Sequence, residues 1–253
     1  MTHASILLVR HGETAWNRER RVQGWAPSGL TERGEEQARA AGRAIGDGYS
    51  VDRLVASDLR RTAETARLLR RAGGIDAEIE FDRDWRERDF GRLQGLTYEE
   101  LFEGFPEFAL GEVGIAAARA VPEGGESLLE MRERVLEAWE RVSERADGTT
   151  VVVTHGGPIY VLLGHLKGLD LVSAILETDC RNGAITELCP EGDGVEIRRE
   201  NDVLTPRRSS RRRRAPRPPA ARTDRAACRR TRRSSGPDAG TRASRRREAG
   251  TCG

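Results

Sequence analysis

The chain has 253 residues, 43 Lys and Arg against 41 Asp and Glu for a formal net charge of +2, and 37% hydrophobic residues. That length allows one large domain, but the near-zero total conceals an uneven division: residues 206–253 hold 17 Arg against 3 acids, leaving 26 basic and 38 acidic residues in 1–205. A body near −12 whose sole lysine is Lys167 argues against nucleic-acid binding by that part; the four cysteines show no CxxC spacing for zinc or a disulfide framework, and no apolar run approaches the 18 residues of a membrane span.

Four apolar residues at 6–9 predict a buried strand that stops at Arg10-His11-Gly12-Glu13-Thr14. In an open α/β sheet ligands bind at the carboxyl ends of strands, so a cation and an imidazole delivered there are placed for chemistry. Gly12 allows close backbone approach, and Glu13 and Thr14 supply polar groups to hold the turn. Trp16-Asn17, a charged segment and Gln23-Gly24-Trp25 read as loop. Thr31 is placed to cap a helix running to about residue 45, where Ala38, Ala41 and Ile45 recur at helical spacing and Gly46, Gly48 and Tyr49 end it. A second strand at 51–57 leads into Asp58-Leu59-Arg60-Arg61-Thr62, which continues as helix to Leu69. This βαβα opening predicts a mostly parallel sheet covered by helices.

The middle is less regular, with a short strand at 79–81, the segment Trp85-Arg86-Glu87-Arg88-Asp89-Phe90-Gly91, helix at 98–102 and no clear pattern to residue 120. Ser127 and Glu130 then form a capping-box pattern, and Leu128, Met131, Val135, Ala138 and Val142 step by three and four, which predicts a helix with one core face. The β-branched run 149–154 reads as a central strand buried on both faces. It ends at His155-Gly156-Gly157-Pro158, a helix carrying Ile159, Leu162, Leu163 and Leu166 follows, and strands at 184–188 and 195–197 close the folded part.

Two apolar strands thus each end in a His-Gly pair, at His11 and His155. Parallel neighbours place equivalent ends side by side, so both imidazoles are expected at one rim with Arg10 and the Ser57–Arg61 strand end, a concentration of donors that calls for an anion. Phosphoryl transfer needs an in-line nucleophile and donors for charge on the equatorial oxygens. Neutral imidazole can be that nucleophile through a phosphohistidine, nearby arginines disfavour imidazolium, and guanidinium matches phosphate oxygens. Glu87, flanked by Trp85 and Phe90, is the candidate general acid for the leaving alkoxide.

On these residues the chain resembles the histidine phosphatase superfamily, the phosphoglycerate-mutase-like branch. The matching motifs are Arg10-His11-Gly12-Glu13-Thr14 with Trp16-Asn17, Gln23-Gly24, Leu30-Thr31-Glu32-Arg33-Gly34 with Gln37-Ala38, Ser57 to Thr62 with Thr65-Ala66, Glu87 to Gly91 with Leu93-Gln94-Gly95, Gly125-Glu126-Ser127, and Thr154-His155-Gly156. The resemblance implies a three-layer α/β/α sandwich in which His11 becomes phosphorylated, Arg10, Arg61 and His155 hold the phosphoryl group, and Glu87 donates the proton. It aligns the family arginine with Arg61, leaving Arg60 facing solvent, and it places Asn17, Gln23, Gly24 and Gly156 around the phosphate or substrate, with no metal or other cofactor needed. Cofactor-dependent mutases of the family usually carry Asn after the second His-Gly and a longer basic insertion before it. Here Gly157 stands at that place, and Arg119 is the sole basic residue between Arg92 and Arg132, which looks like the phosphatase subgroup.

The expectation is a metal-independent phosphomonoester phosphatase acting on a small phosphorylated metabolite, in the cytoplasm, as monomer or homodimer. A phosphoglycerate mutase is the alternative on the same scaffold. Residues 206–253 contain no Leu, Ile, Val, Met, Phe, Trp or Tyr, so they are expected to be a disordered tail after a 1–205 domain. Their Arg runs are the basis of a third reading, nucleic-acid binding, although an out-of-frame reading of GC-rich DNA yields the same mixture.

Overall fold

The structure is a computed structural model and describes residues 4–192 and 194–203. The expected tail and its boundary at residue 205, His3, Cys228 and Cys252 lie outside the described residues.

Strands β1 (Ser5–Arg10), β2 (Val51–Ala56), β3 (Ile79–Phe81), β4 (Thr149–Thr154), β5 (Ile185–Glu191) and β6 (Gly194–Asp202) form one sheet in the order β3-β2-β4-β1-β5-β6. The pairs β3-β2, β2-β4 and β4-β1 are parallel; β5 is antiparallel to both β1 and β6, so the sheet is mixed, with one reversed strand. The helices are α1 (Ala15–Arg18), α2 (Glu32–Gly48), α3 (Arg60–Gly73), α4 (Tyr98–Gly104), α5 (Leu110–Val113), α6 (Ile115–Arg119), α7 (Leu128–Glu144), α8 (Gly156–Leu166) and α9 (Leu171–Glu177).

Strand alternation sorts the core into two layers. Leu7, Val9, Leu54, Val151 and Val153 pack with Ala41, Ile45, Ala66 and Leu69 of α2 and α3. Ile6, Leu8, Val55 and Val152 face the other way, against Met131, Val135, Ile159 and Leu162 of α7 and α8. Helices therefore cover both faces, as a near-continuous apolar reading of β1 and β4 requires. The predicted caps are in place: Thr31 accepts from the Gly34 N–H, and Ser127 and Glu130 form a reciprocal capping box at α7. A smaller cluster of Val22, Leu93, Leu101 and Phe108, with Phe90 against it, fills the irregular middle segment beside the carboxyl ends of the strands.

The sequence expectation fails at Gly46, which does not end a helix. The helix runs through Gly48, and Gly42 and Gly46 are where α2 and α3 meet backbone to backbone, because a Cβ at either would overlap the carbonyl of Leu69 or Gly73. Helix α3 likewise runs four residues beyond Leu69, to Gly73, and β6 is a nine-residue strand rather than a three-residue one. Helices α1 and α9 were not anticipated; each is short, and each depends on a local cap, Thr14 for α1 and Asp170 for α9.

The close approach predicts opposite signs for two Gly→Ala changes in one helix. Gly42→Ala should lower the unfolding free energy by about 1–3 kcal/mol through overpacking. Gly48→Ala, with nothing near its Cβ position, should be neutral or raise it by up to about 1 kcal/mol through helix propensity. Urea denaturation of the two variants beside the wild type measures both.

Candidate active site

The parallel register of β1 and β4 opposes Arg10 to Thr154 and carries on one residue further, with the His11 N–H donating to the Thr154 carbonyl at 2.9 Å. The next side chains on the two strands are the imidazoles. Their ring centroids stand 5.2 Å apart at 62°, edge to face, and both are buried. Gly12 is a glycine for lack of room: a Cβ there would overlap the Gly34 carbonyl at the start of α2. Its N–H donates to Thr65 Oγ1.

The His11 tautomer follows from its neighbours. Nδ1 lies 2.7 Å from the Gly12 carbonyl, an acceptor, so Nδ1 carries the proton and the lone pair sits on Nε2. Arg61 Nε stands 3.2 Å from that Nε2. Burial, then the charges of Arg61 and Arg10, hold the His11 imidazole well below its ordinary range. The sequence reading credited the arginines; removal from water is the larger cause. His155 is depressed too, by burial first and then by Arg61, His11 and Arg10. Its Nε2 lies 2.9 Å from Ser57 Oγ, and its buried Nδ1 has no hydrogen-bond partner.

Arg61, second residue of α3, is 1% exposed, whereas the side chain of Arg60 is 61% exposed and pairs with Glu64, as the alignment of the motif implied. The Arg61 guanidinium donates through Nη2 to the Gly24 carbonyl at 2.8 Å and through Nη1 to that of Ala26. Burial pulls its pKa down to about 10, which leaves it charged at neutral pH. Arg10 is held by the Cys180 carbonyl through Nη1, and its buried Nε is unpartnered. The positive amino-terminal ends of α3 and α8 meet the same strand rim.

These groups open into a pocket of about 200 Å³. Glu87 is the one carboxylate among the described residues that line it. Its Oε1 accepts from the Arg88 N–H at 3.0 Å and its Oε2 from the Gly157 N–H at 3.2 Å; a Cβ at 157 would overlap this carboxylate. The competing acids are engaged elsewhere: Glu78 pairs with Arg70, Glu80 with Arg53 and Asp84 with Arg141. Trp85, expected as an aromatic neighbour of Glu87, is instead wholly buried in the core on the α7 side, and Phe90 lines the pocket.

Asn17, Gln23, Gly24 and Gly156 all line the pocket, while His155 lies behind it. The carbonyl ends of the two amides are committed: Asn17 Oδ1 accepts from the Thr14 N–H and Asn182 Nδ2, and Gln23 Oε1 accepts from Thr14 Oγ1 and Ser28 Oγ. Sequence reasoning brought Ser57 to the rim without a role and gave none to three other residues that build the site, Asn182, Glu126 and Arg134. Ser57 Oγ meets His155, Asn182 Nδ2 donates to the His11 carbonyl, and the Glu126–Arg134 ion pair clamps the Glu87 segment. Arg134 donates to the carbonyls of Asp84, Arg86 and Glu87 while Glu126 Oε1 accepts from the Asp89 N–H. Glu126 lay in a quoted motif; Arg134, two turns into a capped helix, had no local signal beyond its charge near the core face. His165 is exposed, and Cys180 and Cys189 are buried and free. No group of three His, Cys, Asp or Glu among the described residues is placed to hold a metal ion. No helix among them is long and apolar enough to cross a membrane.

The buried imidazoles fix a sign for the pH dependence of stability. Both titrate lower in the folded protein than in the unfolded chain, so below about pH 6.5 the unfolded state binds more protons and stability falls as pH falls, by up to about 1.4 kcal/mol per pH unit per imidazole. Denaturant titrations from pH 6.5 to 5.0 should show that slope, reduced in His11→Gln; a flat profile would mean that the imidazoles are not buried in neutral form.

The histidine phosphatase superfamily (branch 1) is the family whose model matches this chain, over residues 6–203. The chain is 37% identical over 158 residues to phosphoglycerate mutase-like protein 4 of Arabidopsis thaliana, covering 62% of this chain and 68% of that protein. It is also 37% identical over 153 residues to the metal-independent phosphoserine phosphatase of Arabidopsis thaliana, covering 60% of this chain and 64% of that one. Among solved structures, Bacillus stearothermophilus YhfR superposes with a TM-score of 0.71 at 30% identity, covering 79% of this chain and 98% of that chain. With the model matched across nearly the whole described part, this chain belongs to the histidine phosphatase superfamily, whose similar members are named as phosphatases and mutases.

Proposed function

We propose that this protein is a metal-independent phosphomonoester phosphatase that works through a phosphohistidine on His11, with residues 1–205 as its catalytic unit. The observation that carries the reading is the state of His11: Nδ1–H on the Gly12 carbonyl, a lone pair on Nε2, and a pKa held down by burial between two arginines. An imidazole kept neutral at neutral pH is a competent nucleophile.

In the first step Nε2 attacks phosphorus, the P–N bond forms and the P–O ester bond breaks, and Glu87 gives its proton to the departing alkoxide. Arg61 and Arg10 face the equatorial oxygens, whose negative charge offsets the unpaired Arg10 Nε, and His155, with its unpartnered Nδ1, holds the phosphoryl group from behind the pocket. In the second step the Glu87 carboxylate takes a proton from water as its oxygen attacks phosphorus, the P–N bond breaks, and inorganic phosphate leaves with both residues restored. Asn17, Gln23, Gly24 and Gly156 border the path of the substrate, and Gly24 also fixes Arg61 through its carbonyl.

The name of the phosphoserine phosphatase relative supports metal independence, and the donor set at the rim, imidazole and guanidinium without a carboxylate cluster, supports it too. The mutase-like relative keeps a phosphoglycerate mutase as the second reading. Gly157, standing where the family's cofactor-dependent mutases usually carry Asn, favours hydrolysis. Phosphate released to water without a bisphosphorylated primer separates the two.

His11→Ala should abolish turnover and acid-labile, base-stable labelling by a phosphate donor. Arg61→Ala should cost on the order of a hundredfold or more in kcat. Glu87→Gln should slow alkyl phosphates far more than activated aryl phosphates, whose leaving group needs less protonation; equal slowing of both would assign Glu87 a positioning role instead. Steady-state kinetics with and without a chelator on these variants measures all three, with unchanged wild-type rates expected in the chelator.

A further inference from the structure

The pocket has two unlike halves. His11, Arg10, Arg61, Asn17, Gln23 and Glu87 supply its polar end. Apart from Arg88 and the tyrosines Tyr98 and Tyr160, the rest of its wall is apolar and is drawn from elements far apart in sequence: Phe102 of α4, Phe108, Leu110 of α5, Leu128 and Met131 of α7, and Ile175 of α9. Tyr98 and Phe102, one turn apart on α4 with ring centroids 6.1 Å apart, are each 42% exposed although both line the pocket. The fold leaves these two aromatic faces open to whatever enters.

One further cation borders the pocket, and it is engaged. Arg88 donates through Nε to the Glu126 carbonyl at 3.0 Å and through Nη2 to the Ala120 carbonyl at 2.7 Å, while its guanidinium stands over the rings of Phe90, at 4.9 Å, and Phe108. It braces the apolar wall. A leaving group that carried a carboxylate or a second phosphate would enter a largely apolar chamber facing the Glu87 carboxylate, with Arg88 as the one cation beyond the phosphate end and its Nε and Nη2 already given to carbonyls, and an ion stripped of water without full hydrogen-bond partners is disfavoured.

We infer that the enzyme takes phosphomonoesters of alcohols with an uncharged, apolar body, alkyl or arylalkyl, and discriminates against alcohols bearing a carboxylate or a second phosphate. This rests on the proposed phosphatase reading for what happens at phosphorus, and on the pocket wall alone for what lies beyond it.

Phosphonates test the wall without turnover, because their P–C bond is not cleaved. Calorimetric titration of the full-length protein with ethyl- through hexylphosphonate should show binding that tightens about two- to fourfold per added methylene until the pocket is filled. 2-Carboxyethylphosphonate should bind at least tenfold more weakly than the similarly sized butylphosphonate. Phe102→Ser, at a half-exposed position where folding is not at stake, should shrink the increment per methylene. A flat alkyl series, or tighter binding of the carboxylate compound, would overturn the inference and make Arg88 an anion receptor. Phosphohistidine formation with a flat series would sink this inference alone; a steep series without phosphohistidine would sink the phosphatase reading and leave the apolar pocket standing.

Discussion

The hydrogen bond from the His11 N–H to the Thr154 carbonyl holds the site together, because it ties the ends of two parallel strands at the register that sets one imidazole against the other. A slip of one residue would turn every side chain of β1 to the opposite face. Leu7 and Val9 would then leave the α2–α3 layer, Ile6 and Leu8 the α7–α8 layer, and His11 would lose Arg61. The hydrophobic sorting of the two core layers therefore enforces the catalytic geometry. Stability and function share one constraint.

Burial is the second theme. Two imidazoles and Arg61 sit at or near zero exposure, and no carboxylate of the described residues is bonded to any of them. Removing ionisable groups from water costs free energy unless partners replace it. Here backbone carbonyls of Gly24 and Ala26 partner Arg61, that of Cys180 partners Arg10, and the histidines respond by remaining neutral. A phosphoryl dianion would supply the missing counter-charge. The Glu126–Arg134 pair does the opposite kind of work: it neutralises itself and spends its remaining donors on the carbonyls of the Glu87 segment, so that a loop with no regular secondary structure still presents one carboxylate at a fixed place.

Much of this was legible in the chain. Apolar runs at β1 and β4, each stopped by His-Gly, reveal both the central strands and the meeting of the histidines, since strand burial and parallel adjacency are local consequences of composition and connection. The capped helices α2 and α7 were readable for the same reason. What escaped depends on tertiary contact. Gly46 looks like a helix stop until α3 is seen to press against it, Trp85 looks like a pocket aromatic until the core claims it, and the short α5, α6 and α9 carry too few turns for periodicity to show. Helices α5 and α9 add Leu110 and Ile175 to an apolar wall whose other members come from α4, α7 and Phe108, elements that only the tertiary fold brings together, which is why the sequence revealed the phosphate end of the site and not its substrate end.

The central claim is that His11 attacks through Nε2 because Nδ1 holds its proton on the Gly12 carbonyl. Phosphorus and nitrogen NMR of the 15N-histidine-labelled protein, quenched in base during turnover, reads the phosphorylated nitrogen directly. The account predicts one phosphohistidine, on His11, at Nε2, with His155 unmodified. Phosphate on Nδ1, on His155 or on no histidine would contradict it.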